Sequence, residues 1–385
     1  AMNKSMIRYL LAKLLLIEAM LLCVPIVVAL LNLKNDFVVK DSPTVFISLF
    51  ATIAILLLLG GIGSFFKPKD FHIYAKEGVL IVALCWILWS FFGALPFVFS
   101  GQIPNIIDAF FEVSSGFTTT GATILNDVSV LSPSLLFWRS FTHLIGGMGV
   151  LVFALAIMDN NKNSHLEVMK AEVPGPVFGK IVSKLKNTAQ ILYYLYLALF
   201  FLFVVIYFCA GMPLYDSFII AMGTAGTGGF TVFNDGIAHY HSTLITYLVS
   251  FGVLVFGVNF NLYYYIMLRK FKAFLGDEEL RTYLMIVGVS SLLIACNIFH
   301  LYHNFADSFE MSFFQVSNVI TTTGFGFGNT VDWPLFSQFL LLMLMVVGGS
   351  AGSTAGGLKV IRCLILARIG KNQIRSMLSP NRVMT

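Results

Sequence analysis

The chain has 385 residues, of which 58% are hydrophobic and 11% are charged, and its formal net charge is +5. A soluble domain carries about twice that charged fraction, and the mean hydropathy of +0.86 is typical of a chain embedded in lipid. The composition therefore excludes an ordinary soluble protein. It indicates an all-α polytopic membrane protein in a lipid bilayer, and we expect no nucleic acid among its partners.

Windows of roughly 20 apolar residues, the length that crosses a bilayer as a helix, predict eight membrane-spanning segments. They cover residues 9–31, 45–66, 79–99, 134–157, 190–211, 243–268, 283–301 and 334–368. Three shorter apolar pieces lie between the later segments, and each begins with an acid, as the start of a helix prefers. They are Asp108–Ser115, Asp216–Gly223 and Asp307–Ser317. Each piece is too short to cross and predicts a half-helix.

Each half-helix leads into a run of threonine and glycine. The runs are Ser115–Thr123, Gly226–Thr231 and Val319–Phe325. Irregular backbone at membrane depth is tolerated only where it is buried or lines a water-filled cavity, and rings of backbone carbonyls can replace the hydration shell of a cation. Gly121, Gly228 and Gly324 are expected to supply the unusual backbone angles. Ordinary turns are the alternative, but turns between helices rarely follow a half-helix or recur in register.

The unit of span, half-helix, loop and span occurs three times after an introductory hairpin of two spans, and such a repeat is a strong organisational signal. The predicted divisions are the hairpin at 1–78, a first pore repeat with its cytoplasmic loop at 79–189, a second repeat at 190–282, and a third repeat with an intramembrane gate loop at 283–385.

Lysine and arginine are distributed asymmetrically along the chain. With the N-terminus inside, the outer segments hold only Lys34 and Lys40, and the inner segments hold most of the others. By the positive-inside rule, the N-terminus and C-terminus of this chain are expected to be cytoplasmic. The three loops then face the outside.

Acidic side chains surround the three loops. They are Asp108, Glu112, Asp127, Asp216, Asp235, Asp307, Glu310 and Asp332. No lysine or arginine lies among them, and a mouth lined by one sign of charge concentrates the opposite ion. The pattern favours cations over anions without selecting one cation, although the acids that start the half-helices have an alternative interpretation as helix caps. The predicted outer cation funnel consists of Asp127, Asp235 and Asp332.

Ten small residues interrupt the last predicted span. They are Gly348, Gly349, Ser350, Ala351, Gly352, Ser353, Thr354, Ala355, Gly356 and Gly357. Because glycine costs about 1 kcal/mol relative to alanine inside a helix, the run is expected to break the span and form a gate lining an inner cavity. A small-residue face for helix packing is the alternative. Lys359 and Arg362 follow on the predicted cytoplasmic side, within reach of a regulatory protein.

A few polar residues lie inside predicted spans. Arg139 and His143 are four apart, share a helix face, and predict a structural pairing with an outer acid instead of a catalytic pair. Asn259 and Asn261 are predicted to form hydrogen bonds between helices. No nucleophile with a neighbouring base and no nucleotide-binding loop is evident, so we expect no enzyme activity.

The loop motifs closely resemble those of the TrkH/KtrB potassium transporters of the Trk/Ktr/HKT superfamily. The matching motifs are Thr118-Thr-Thr-Gly-Ala-Thr123, Thr227-Gly-Gly-Phe230, Thr321-Thr-Thr-Gly-Phe325, Asp332-Trp-Pro-Leu335, Gly146-Gly-Met-Gly149, Ala171-Glu-Val-Pro-Gly-Pro176 and Gly348–Arg362. The resemblance implies potassium uptake through repeats like those of a potassium channel, with the run at Gly348–Gly357 as the gate. It implies potassium-binding filter residues at Thr118, Thr119, Thr120, Gly121, Gly226, Thr227, Gly228, Thr321, Thr322, Thr323 and Gly324.

The same resemblance implies a homodimer in the inner membrane of a bacterium. A cytoplasmic nucleotide-binding regulatory subunit similar to TrkA or KtrA would gate it, so nucleotide would bind the partner and this chain would hold potassium but no organic cofactor. The family has four repeats, and the sequence contains three. We expect this to reflect an incomplete copy, and the alternative is that the missing quarter of the ring comes from elsewhere. A sodium-conducting protein or a cation-coupled potassium symporter of the same fold is one alternative. A small-solute carrier with broken helices is another, but it would have inverted repeats, whereas these loops enter from one side.

Overall fold

The computed structural model describes residues 2–31, 40–68, 70, 75–147, 149 and 185–378. Every regular element within these ranges is helical, which confirms the expected all-α fold. The α-helices in chain order are α1 (Lys4–Leu21), α2 (Cys23–Leu31), α3 (Pro43–Phe65), α4 (Ala75–Phe99), α5 (Ile106–Phe117), α6 (Pro133–Gly147), α7 (Leu185–Cys209), α8 (Leu214–Gly226), α9 (Thr243–Phe256), α10 (Phe260–Met267), α11 (Phe271–Gly276), α12 (Glu278–Tyr302), α13 (Phe305–Ile320), α14 (Leu335–Val347) and α15 (Val360–Leu378). Short 3₁₀-helices lie at Val128–Val130 and Gly236–Tyr240.

The chain divides into two compact units. The first unit comprises Ala1–Gly252 with Thr323–Gly328, and the second comprises Val253–Thr322 with Asn329–Thr385. The boundaries of the predicted repeats stay a prediction. The motif at residues 171–176 and the end of the fourth predicted segment, from residue 150 to 157, lie outside the described residues.

Five helices among the described residues are long and apolar enough to cross a membrane. They are Lys4–Leu31, Pro43–Phe65, Lys76–Phe99, Gln190–Cys209 and Glu278–Tyr302. Each coincides with one of the eight membrane-spanning segments predicted from the sequence, so most of the long apolar runs are correctly assigned.

The segment predicted at 243–268 is apolar enough to span as a pair of helices, but it is broken. Helices α9 and α10 are bent by 90° relative to each other at Gly257–Asn259. The Asn259 side chain accepts a hydrogen bond from the Asn261 N–H at 3.0 Å and so caps the start of α10. Asparagine is a strong N-cap, and its role here is to start a new helix and not the predicted bond between helices.

The three predicted half-helices are present as α5, α8 and α13, with 12, 13 and 16 residues. At 1.5 Å per residue they are about 18–24 Å long, shorter than the ~30 Å hydrocarbon core. Asn105 and Asn304 cap α5 and α13 by accepting from the N–H groups two residues ahead, at 3.0 and 3.1 Å. Side-chain caps and an acid in the first turn therefore fix where α5 and α13 begin, whereas α8 starts after Pro213 with an acid in its first turn and no side-chain cap.

Glycines let the first half-helix pack tightly inside the first unit. A side-chain carbon at Gly116 would lie 2.0 Å from the Thr142 hydroxyl oxygen, and one at Gly146 would lie 2.0 Å from the Phe117 carbonyl oxygen. Small residues allow close backbone approach between helices in lipid, where packing supplies much of the association energy. Trp138 joins α6 to α4 as well, by donating its indole N–H to the Gly93 carbonyl at 3.0 Å.

Candidate functional site

The three Thr/Gly loops share one backbone geometry. In each, a threonine with positive φ is followed two residues later by a glycine with positive φ. The φ angles are +52° at Thr119 and +74° at Gly121, +50° at Thr227 and +81° at Gly229, and +55° at Thr322 and +75° at Gly324. A residue with a Cβ atom in this region costs roughly 1–2 kcal/mol, so the repeated strain marks a conformation that the surrounding structure holds in place.

This register corrects the glycine predicted for the second loop. The left-handed backbone falls on Gly229 and not on Gly228. Phe230 follows Gly229 as Phe325 follows Gly324, so matching the Gly-Phe pairs would have given the right position. Gly228 is small for another reason, because a side-chain carbon there would lie 2.5 Å from the His143 ring.

Direct backbone contacts join the loops within the first unit. A side-chain carbon at Gly121 would lie 1.9 Å from the Gly228 carbonyl oxygen, and one at Gly229 would lie 2.1 Å from the Thr323 carbonyl oxygen. These separations leave room only for glycine. The first loop therefore lies against the second, and the second lies against Thr323 of the third.

A buried ion pair holds the first Thr/Gly loop in place. Arg139 donates its Nε–H to Glu112 at 2.5 Å, and the two side chains are 3% and 0% exposed. The same carboxylate accepts from the Thr123 hydroxyl at 2.9 Å and from the Ile124 N–H at 2.9 Å. Breaking a buried pair of this kind costs about 3–5 kcal/mol, so Glu112 ties the chain leaving the loop to its own half-helix.

The prediction that Arg139 pairs with an outer acid is confirmed, but the placement of Glu112 in the outer mouth is wrong. Its carboxylate is fully buried because α5 turns it toward α6. Beside this pair, the Phe230 ring lies 3.4 Å from the Arg139 guanidinium carbon. His143 stacks on the same Phe230 ring, with ring centroids 4.0 Å apart. Arg139 and His143 thus support the second loop as well as the first.

The loop exits in the first unit are also linked. Asn234 donates its amide to Asp127 at 2.8 Å and accepts from the Val128 N–H at 3.0 Å. The Ser129 hydroxyl and the Ser129 N–H bind the same carboxylate and, with Asn234, hold the pKa of Asp127 below its usual value. The Ile237 N–H donates to the Gly326 carbonyl at 2.9 Å. Asp127 is therefore an ionised link between the exits of the first and second loops.

The other two residues of the predicted funnel differ from Asp127. Asp235 is exposed in the first unit and precedes the 3₁₀-helix Gly236–Tyr240. Asp332 is exposed in the second unit, where it accepts from the Asn329 amide at 3.2 Å. The structure leaves both carboxylates open to solvent, while their action as a funnel stays a prediction.

The small-residue run Gly348–Gly357 forms a non-helical loop between α14 and α15, as expected for an interrupted span. Its backbone is bonded to the break between α9 and α10. The Ser350 N–H donates to the Gly257 carbonyl, and the Phe260 N–H donates to the Gly352 carbonyl, both at 3.0 Å. The helical packing face considered as an alternative is not present.

Two further residues of the second unit hold this loop. The Gly356 N–H donates to the Thr322 hydroxyl at 2.7 Å. Glu279, at the start of α12, accepts from the N–H groups of Ala351 at 2.8 Å and Ile361 at 3.2 Å. No sequence pattern indicated Glu279, because it lies 72 residues from Ala351. One carboxylate therefore fixes both the middle of the loop and the helix after it.

The family described as TrkH, cation transport protein, matches residues 46–385 of this sequence. The chain belongs to the TrkH family of cation transport proteins. This membership confirms the family resemblance read from the loop motifs, and it agrees with the expectation of a transport protein and not an enzyme.

Named TrkH relatives cover most of the chain. The Trk system potassium uptake protein TrkH of Salmonella typhimurium is 37% identical over 80% of this chain and 65% of its own length. The protein of the same name from Escherichia coli K12 is 37% identical over 82% of this chain and 67% of its own length. The chain thus spans about two thirds of the length of these relatives.

A solved structure also matches. The crystal structure of the potassium transporter TrkH from Vibrio parahaemolyticus covers 100% of this chain with a TM-score of 0.86 and 30% identity, and the match includes 78% of that protein. The expected architecture of a polytopic TrkH-like membrane protein is therefore confirmed.

Proposed function

We propose that this TrkH family member conducts potassium ions across the membrane through a pore whose filter is built from the three Thr/Gly loops. The observation that carries the proposal is the backbone contact of Gly121 with Gly228 and of Gly229 with Thr323. Loops packed in this way keep side chains out of their contacts and leave carbonyl oxygens available to a dehydrated cation. Potassium is the proposed ion because the matching relatives are named potassium uptake proteins.

The proposed ligands are carbonyl and hydroxyl oxygens of the loops. They belong to Thr118, Thr119, Thr120, Gly121, Gly226, Thr227, Gly228, Gly229, Thr321, Thr322, Thr323 and Gly324. The Glu112–Arg139 pair supports this role, because a filter must hold its oxygens at fixed positions while the ion exchanges water for protein. Asp127, Asp235 and Asp332 are proposed to raise the local cation concentration outside.

The loop Gly348–Gly357 is proposed as the gate. Its contacts with Glu279 and Thr322 support this, because they join the loop to the helix-start carboxylate and to a threonine of the third Thr/Gly run. Movement of α15 would strain the bond between Glu279 and the Ile361 N–H and release the loop. Such a two-state element could couple a partner to conduction.

The assembly and orientation are proposals from the family resemblance and the charge distribution. We propose a homodimer in a bacterial inner membrane, with the N-terminus of the chain and α15 on the cytoplasmic side. A cytoplasmic nucleotide-binding subunit similar to TrkA or KtrA would act on the gate. Coupling of potassium to sodium or protons is a further variant of the same function.

Ion flux into vesicles tests the function. The full-length protein would be reconstituted with and without its regulatory subunit, and the uptake of potassium, rubidium and sodium would be compared. We expect potassium and rubidium to enter faster than sodium. Equal or faster sodium uptake would identify a sodium-conducting relative, and uptake of small organic solutes without ion flux would contradict the channel-like function.

A further inference from the structure

A groove of about 410 Å³ opens between α1 and α3 in the first unit, with one residue of α4 at its edge. Its walls include Leu11, Leu15, Leu59 and Leu80. The apolar wall on α1 extends eleven residues beyond the helix start, or about 16 Å at 1.5 Å per residue. This is roughly half of the ~30 Å hydrocarbon core, so the groove has the depth of a single leaflet.

Small residues bring α1 and α3 together along this groove. A side-chain carbon at Gly63 would lie 2.6 Å from the Ala12 Cβ, and one at Gly60 would lie 2.9 Å from the Ala12 carbonyl oxygen. At Gly60 the Leu16 side chain lies closer still, 2.7 Å from the position of the added carbon. The two glycines of α3 therefore let α1 approach closely. The groove is thus a built feature of the helix pair.

The mouth of the groove is cationic. Lys4 and Arg8 line it, and both are exposed. They are four residues apart on α1, so they lie on one face of the helix. Arg8 donates from Nη2 to the Phe66 carbonyl at 3.0 Å, which uses one of its five N–H donors. The described residues that line the groove include no acid. Glu77, which accepts from the Asn3 N–H beside the mouth, is buried, so the exposed charges that line the groove are the two cations.

We propose that this groove binds an anionic phospholipid, with the phosphate on Lys4 and Arg8 and an acyl chain along the leucines. The occupant follows from the juxtaposition of two cations with an apolar wall one leaflet deep. Lys4 begins a helix of membrane-spanning length, which places both cations at the depth of the headgroups. Basic pockets between membrane helices are suited to anionic headgroups. The inference goes beyond ion conduction and requires only that α1 and α2 together span the bilayer.

Native mass spectrometry of the full-length protein tests the proposal. Detergent-solubilised protein would be equilibrated with equal amounts of phosphatidylglycerol and phosphatidylcholine, and the retained lipids would be counted. Each cation contributes about a factor of five to binding of an anionic lipid. The double variant Lys4→Gln/Arg8→Gln is therefore expected to bind phosphatidylglycerol about 30-fold more weakly. Lys270→Gln/Lys272→Gln is the matched control, since both lysines are exposed on another part of the chain.

A groove-filling variant separates the acyl chain from the headgroup. Leu59 is 46% exposed, so Leu59→Trp adds bulk with little disturbance of packing. It is expected to reduce retention of both lipids. Equal retention of the two lipids by the unmodified protein would overturn the proposal. So would a phosphatidylglycerol preference that survives the Lys4→Gln/Arg8→Gln change or falls equally in the lysine control. Lipid retention is measured without ion flux, so its outcome is independent of the proposed conduction.

Discussion

Gly121 and Gly324 form a matched pair for testing how the loops contact each other. Their φ angles are +74° and +75°, so alanine at either site meets the same backbone strain, roughly 1–2 kcal/mol. At Gly121 the new Cβ would also lie 1.9 Å from the Gly228 carbonyl oxygen. At Gly324 no heavy atom of the described residues lies within 4 Å of the new Cβ.

The extra cost at Gly121 arises from a rigid neighbour. The obstructing atom belongs to the backbone and has no rotamer into which it could move, and overpacking of this kind costs about 1–3 kcal/mol. We therefore expect Gly121→Ala to lower the free energy of unfolding by about 2–5 kcal/mol. Gly324→Ala should lower it by only about 1–2 kcal/mol.

The assay is reversible unfolding of the full-length protein in mixed detergent micelles, followed by tryptophan fluorescence. Gly229→Ala serves as a second test of the same reasoning, because its Cβ would lie 2.1 Å from the Thr323 carbonyl oxygen. Its loss in the free energy of unfolding should be close to that of Gly121→Ala. Equal losses at Gly121 and Gly324 would refute the reasoning, since they would show that backbone strain alone accounts for the loss of stability and that the loops do not press on each other.

Three further predictions concern the gate and the outer acids. Glu279→Ala removes two charge-assisted hydrogen bonds, each worth about 1.5–3 kcal/mol. It should raise potassium flux in the absence of the regulatory subunit, measured in liposomes, and unchanged flux in a folded variant would contradict the gate. Neutralising Asp127, Asp235 and Asp332 together should slow uptake at low ionic strength, with the defect fading as salt shortens the Debye length. A defect independent of salt would argue against a funnel. Because Ser129 lowers the pKa of Asp127, the stability from this carboxylate is present above its unfolded pKa and lost as pH falls through the lower folded pKa. Thermal unfolding against pH should show an acid loss that Asp127→Asn lacks, and identical profiles would contradict the link.

Local sequence signals predicted the helical elements well. An acid at the start of each short apolar piece and a Thr/Gly run at its end located α5, α8 and α13, because capping and helix propensity act over a few residues. The same reasoning located the interruption at Gly348. It failed at Gly257–Asn259, where the apolar run continues but Asn259 caps a new helix. Hydrophobicity over a window does not register a single cap inside it.

Contacts between residues far apart along the chain could not be predicted from the sequence. Glu112 resembled the other outer acids, and only its packing against Arg139 shows that it is a buried anchor. Gly228 and Gly229 are adjacent and identical in type. Their different functions depend on His143 and on the Thr323 carbonyl, which approach from other helices and loops. Such roles are set by tertiary packing, which single-sequence patterns do not contain.

Anomalous diffraction from crystals of the full-length protein soaked in rubidium or thallium tests the central claim most directly, because both ions replace potassium and scatter strongly. The account predicts a peak in contact with carbonyl oxygens of the three Thr/Gly loops, and its loss when sodium replaces the soaked ion. Ion density confined to other parts of the protein, with the loops free of it, would contradict the claim that these loops form the filter.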